Sequence, residues 1–188
     1  MTFTKKMMTA TAALALTTGA AFADAHKMNP MVGGAEMSME MNIVENAANS
    51  ADHTTLVAAV QAAGLTETLS GEGPFTVFAP TNEAFDRLEP GTVETLLLPE
   101  NKEMLVQILT CHVVAGEVMA DAIVGMIEAE GGTVAVDTLG GCVLQASIDE
   151  EKVKLLDENG NAAFVDIADV KQSNGVIHVV NGVMLPKQ

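Results

Sequence analysis

The sequence predicts an α+β fold, because helical spacing dominates as far as Glu130, period-two alternation takes over from Cys142, and turn residues separate the runs. Thr54–Ala63 places Leu56, Val60 and Ala63 on one face, with Gly64 as the stop, so it is an amphipathic helix capped from Asp52. Phe75–Phe78 alternates as a strand. Pro80 breaks it, and Thr81 can cap a short helix carrying Ala84, Phe85 and Leu88. Helices follow over Thr92–Leu98, over Glu100–Leu109 with Leu105, Ile108 and Leu109 inward, and over Ala120–Glu130 before Gly131-Gly132. Cys142, Leu144, Ala146 and Ile148 then share one strand face. Val153 with Leu155 and Phe164–Ile167 flank an Asn159-Gly160 hairpin turn. Val176–Val180 closes the sheet, and Val183–Leu185 is expected to extend it.

The N-terminus is an address. Lys5 and Lys6 precede the apolar run Thr9–Ala20, and Ala21-Phe22-Ala23 is a small-x-small cleavage site, so residues 1–23 predict a secretory signal and a mature chain beginning near Asp24. That run is too short to span a bilayer permanently. The expected product is secreted or periplasmic, with no integral membrane segment. The formal charge of −16 becomes −18 once the two lysines of residues 1–23 are removed, since they come with no acid. Such a chain repels phosphate backbones, which excludes nucleic acid as a partner class.

Residues 24–41 predict a flexible methionine-rich linker ahead of a single domain over 42–188. His26, Met28, Met31, Met37, Met39 and Met41 surround Asn29-Pro30 and Gly33-Gly34 with no sustained periodicity. Thioethers with an imidazole are soft ligands suited to Cu(I). The competing reading is an arm that packs through adaptable methionines. No resident cofactor is expected beyond weak copper binding there. Asp157-Glu-Asn-Gly-Asn161 imitates the start of a calcium loop, but Ala162 and Ala168 fall where glycine and a chelating glutamate are required, so it predicts a hairpin turn. Asp149-Glu150-Glu151 is a solvated acidic turn.

Two long blocks carry a family resemblance. Gly73-Pro-Phe-Thr-Val-Phe-Ala-Pro-Thr-Asn-Glu-Ala-Phe85 and Gln172-Ser-Asn-Gly-Val-Ile-His-Val-Val-Asn-Gly-Val-Met-Leu-Pro186 resemble, in order, the two motifs of exported bacterial fasciclin-like (FAS1) domains. The resemblance covers roughly 42–186. It implies a twisted β-sheet wedge with small helices packed on it, and adhesion or binding without catalysis. The motif residues Thr76, Phe78, Ala79, Pro80, Thr81, Asn82, Phe85, Asn174 and Gly175 look like turn and core, and His178, between Ile177 and Val179, looks like a hydrogen-bonded core histidine.

The family usually has Tyr-His where this chain has Cys111-His112. An exported protein with two cysteines favours pairing, so Cys111–Cys142 is the expected disulfide, two buried free thiols being the alternative. Cys111 and His112 make no catalytic dyad. Adjacent on a strand they would diverge, and no orienting third residue or oxyanion glycine motif is visible. In animal FAS1 domains an Asp-Ile pair before the second motif is linked to receptor binding. Asp169-Val170 stands in that place, which the resemblance makes a candidate partner contact. The expected function is therefore a non-catalytic adhesion or matrix-interaction module that binds a cell-surface protein or glycan. Copper handling by the arm and carriage of an apolar ligand are the alternatives.

Overall fold

A computed structural model describes residues 29–187. The predicted signal segment, together with His26 and Met28, lies outside the described residues.

The described residues open with a small antiparallel ladder, β1 (Met31–Val32) and β2 (Ala35–Glu36), turned at Gly33-Gly34. It is followed by α1 (Ile43–Asn49), whose N-terminus is closed by a capping box in which Asn42 and Glu45 each accept the other's backbone N–H. After a 3₁₀ turn over Ala51–His53 come α2 (Thr54–Ala63) and α3 (Thr66–Ser70). Gly64, at φ +74°, ends α2 in the left-handed conformation that glycine adopts most cheaply. β3 (Phe75–Pro80), α4 (Asn82–Asp86), α5 (Thr92–Leu96), α6 (Lys102–Thr110), β4 (Val113–Ala115) and α7 (Ala120–Ala129) continue the chain. Strands then gather: β5 (Thr133–Asp137), β6 (Val143–Asp149), β7 (Lys152–Leu156), β8 (Ala162–Gln172) and β9 (Gly175–Val180).

One seven-stranded sheet runs in the order β4-β3-β9-β8-β7-β6-β5. All neighbours are antiparallel except β3 and β9, which pair in parallel from Phe75↔Gly175 to Pro80↔Val180. That parallel pair divides two cores by strand alternation. Val77, Ala79, Ile177 and Val179 face the helical layer of α1, α2, α4 and α6, while Phe78 and Val180 face the core under α7 with Leu144, Leu155 and Ala163. The α+β wedge read from the sequence is the fold.

Several expectations need correction. The predicted linker is not free beyond Pro30, because Val32 and Met37 are each 2% exposed within the helical-side core. The Ala51 N–H donates to the Gly33 carbonyl, and Ser173 N–H to the Met41 carbonyl, tying the segment down at both ends. Cys111 and His112 lie on no strand: Cys111 keeps helical angles as the C-cap of α6, with His112 in the turn before β4. Ile148 is 42% exposed, since it runs past the end of the core that holds Leu144 and Ala146. Val183–Leu185 adds no strand, because the Met184 N–H is taken by His112 and the Leu185 N–H by Asp157.

Candidate functional site

The motif side chains converge on the joints between elements. Thr76, fully buried on β3, donates its hydroxyl proton to the Gly116 carbonyl at 2.7 Å and accepts from the Val118 N–H at 2.8 Å, so it pins the loop into α7. His178 holds the same loop from β9. Its Nε2–H donates to the Val118 carbonyl at 2.8 Å and its Nδ1 accepts the Asp169 N–H at 3.2 Å, which fixes a neutral imidazole. The ring stacks on Phe78, with centroids 5.5 Å apart. Burial lowers its pKa, against smaller upward pulls from the Val118 carbonyl and the Asp169 charge.

Asp169 sits in an irregular stretch of β8 at φ +59°, where its Oδ1 accepts the Ala120 N–H at 2.7 Å. It therefore serves the N-terminus of α7, whose own cap residue Met119 offers no side-chain acceptor. Val170 is fully buried in the helical-side core. The pair expected to meet a partner is thus spent inside the domain: Val170 turns inward at the bulge and Asp169 is occupied by α7.

Asn82 and Asn174 are likewise framework. Asn82 Oδ1 accepts from the Thr54 hydroxyl and the Thr55 N–H, while its amide donates to the Ala51 carbonyl at 2.8 Å, so a residue from another element caps α2 in place of Asp52. Thr81 caps α4 through the Ala84 N–H. Asn174 accepts from the Ile43 N–H and donates to the Leu69 and Gly71 carbonyls. Gly175 lies so close to Phe75 that a Cβ would overlap its backbone. Ala79, Pro80 and Phe85 are buried at the β3–α4 junction.

Cys111 and Cys142 form a disulfide, with Cα atoms 5.3 Å apart. His112, 2% exposed, donates from Nδ1 to the Ile108 carbonyl at 2.8 Å and accepts the Met184 N–H on Nε2 at 3.0 Å. Burial pushes its pKa down to about 4, against the Ile108 carbonyl and the Asp157 charge. Neither the paired cysteines nor His112 is available for chemistry.

Sequence reasoning missed a second buried polar set: Asn46 donates to Gln172 and to the Ser38 carbonyl, and His53 Nδ1 meets Ser50 Oγ at 2.9 Å. The alternation of β8 could have flagged Gln172, whose position falls on the inward face with Val170. Burial also lowers the His53 pKa, opposed by the Ala79 carbonyl and the Asp52 charge. Of the proposed copper ligands, Met31, Met39 and Met41 are 58%, 48% and 39% exposed, whereas Met37 is core. Among the described residues no three His, Cys, Asp or Glu groups gather to hold a metal. An apolar cavity among the described residues, between α1, α2 and β3, has a volume of about 30 Å³, room for a water or two and not for an acyl chain or pigment.

The sequence matches the fasciclin domain family over residues 51–186. The chain belongs to that family. This FAS1 domain is 51% identical over 156 residues to protein sll1483 of Synechocystis sp., covering 83% of this chain and 79% of that protein. It is 40% identical over 131 residues to the pig transforming growth factor-beta-induced protein ig-h3, covering 70% of this chain and 17% of that much longer protein. Its fold is similar to a FAS1 domain pair from the insect cell adhesion molecule fasciclin I, with a TM-score of 0.68 at 17% identity, over 77% of this chain and 51% of that one. No helix among the described residues is long and apolar enough to cross a membrane.

Proposed function

We propose that this FAS1 domain is an exported, non-catalytic adhesion module that binds a cell-surface or matrix protein or glycan, acting in the periplasm or outside the cell after cleavage near Ala23. One observation carries the reading: the motif side chains able to do chemistry, Thr76, Asp169, His112 and His178, are spent on internal hydrogen bonds, which leaves the outer surface as the working part. Membership of a family that includes a domain pair from a cell adhesion molecule supports it. Deleting the gene should reduce attachment or aggregation of the producing cells, and adding back purified mature protein should restore it. Unchanged attachment across protein-coated and glycan-coated surfaces would refute the reading.

A second reading is favoured by the exposed thioethers of Met31, Met39 and Met41 on one tethered segment. Those methionines, with His26 and Met28, form a weak Cu(I) site. Replacing the three by leucine leaves Met37 and the core in place. Equal Cu(I) affinity in the variant and the parent ends the idea.

A further inference from the structure

The sheet has two edges, and they finish differently. β4 is three residues long, and the chain after β5 folds over it, with the Leu139 N–H donating to the Val113 carbonyl at 2.8 Å beside the Cys111–Cys142 disulfide. β5 pairs only with β6, from Thr133↔Ser147 to Asp137↔Val143 without a register shift. An edge strand turns alternate N–H and C=O groups outward. Among the described residues no hydrogen bond reaches the outer row of Thr133–Asp137. Its sequence, Thr-Val-Ala-Val-Asp, holds no proline or lysine, the residues that ordinarily protect an open edge. Thr133, Ala135 and Asp137 are exposed, and Val134 and Val136 are only partly buried against the α7-side core. The apolar layer thus stops at β5 with two valines half covered.

Charge decides what pairs there. Glu128 and Glu130 precede β5, Asp137 ends it, and Glu150 and Glu151 stand at the β6–β7 turn beyond its Thr133 end; all five are exposed. None of the five joins an ion pair among the described residues, where the neighbouring Lys152 and Lys154 are taken by Asp166 and Asp149. A second copy on the same edge would set acid against acid in a chain of net charge −16. We propose that β5 is a docking edge that takes up an extended, basic segment of a partner protein by strand addition. Apolar residues at alternate positions would continue the Val134 and Val136 layer, and lysines or arginines would meet the flanking carboxylates. The inference rests on the adhesion reading for the partner being a protein, and it names the surface.

The test uses the full mature protein and the peptide Lys-Val-Lys-Val-Lys-Val, end-capped, together with the same peptide methylated at its central backbone nitrogens. The plain peptide should bind and slow hydrogen exchange at Thr133–Asp137, while the methylated one should bind about tenfold or more weaker. Ala135→Lys should weaken binding by a similar factor, and Ala58→Lys, the same charge change on the exposed face of α2, should change it less than about twofold. Equal binding of the methylated peptide, equal loss in both variants, or no binding of the plain peptide would overturn the proposal. Cells that still attach through a protein that binds no peptide would remove the edge and leave the adhesion reading standing. Lost adhesion with intact peptide binding would do the reverse.

Discussion

His112 shows how one buried side chain sets a pH limit. Its folded pKa, about 4, lies below the ordinary 6.5 of an unfolded imidazole, so between these values the unfolded chain binds a proton that the folded one refuses. Stability is therefore full above about pH 6.5 and falls as pH drops toward 4, by roughly 3 kcal/mol from this group alone. His53 and His178 pull in the same direction. Urea denaturation midpoints should drop steeply across that window, and the His112 imidazole should show no titration by NMR between pH 7 and 5. Asp169 is the second residue with a definite expectation. Asp169→Ala loses the α7 bond and puts alanine at φ +59°, so it should cost about 1–2 kcal/mol. Asp169→Asn keeps an acceptor and tolerates the left-handed angle, so it should cost less. Thermal denaturation of the two variants separates the contributions.

At the scale of elements, the β6–β7 hairpin turns on two residues, Glu150 and Glu151, both at positive φ (49° and 69°) between the paired Asp149 and Lys152. Such two-residue turns favour Asn-Gly, and glutamate there is strained. Replacing the pair by Asn-Gly should stabilise the domain by about 1 kcal/mol, read as a rise in denaturation midpoint. The disulfide ties the end of α6 to the start of β6 across a separation of 31 residues. Reducing it, or the Cys111→Ser/Cys142→Ser pair, should cost roughly 3–4 kcal/mol in the chain-entropy account. Gly140 belongs to the same clasp. It donates to the Thr110 carbonyl, and a Cβ there would come within 2.7 Å of the Cys111 nitrogen, so Gly140→Ala should destabilise although its φ is ordinary.

For the molecule as a whole, the elements legible in the sequence were those with a strong period or a decisive stop. α2 with Gly64, the strands at Phe75 and Val176, and the Asn159-Gly160 turn all qualify. α1 and α3 were missed: both are too short for a period, α3 has no side-chain cap to announce it as Thr81 announces the equally short α4, and the Asn42–Glu45 capping box that marks the start of α1 went unread. β5 was missed although Val134 and Val136 alternate with Thr133, Ala135 and Asp137, because two strongly apolar side chains in five residues make a short period-two signal. The methionine segment misled because Met37 packs through a non-local fit, Val32 and Met37 filling the helical-side core beside Val170 and Ile177, which no local pattern announces. Met37→Ala should accordingly cost about 2–4 kcal/mol by chemical denaturation, a loss no free arm would show. Of the site, the pairing of the cysteines was legible from their number and setting, whereas the burial of Val170 required the β8 irregularity, a backbone event invisible in residue types.

The last strand among the described residues is also an interior strand of the sheet. β9, with all six residues buried, lies between β8 and β3, so β3 stays without its parallel neighbour until Val180 has been synthesised. A chain cut before Gly175 lacks the strand that joins β3 to β8, so the two parts of the sheet have nothing to hold them together.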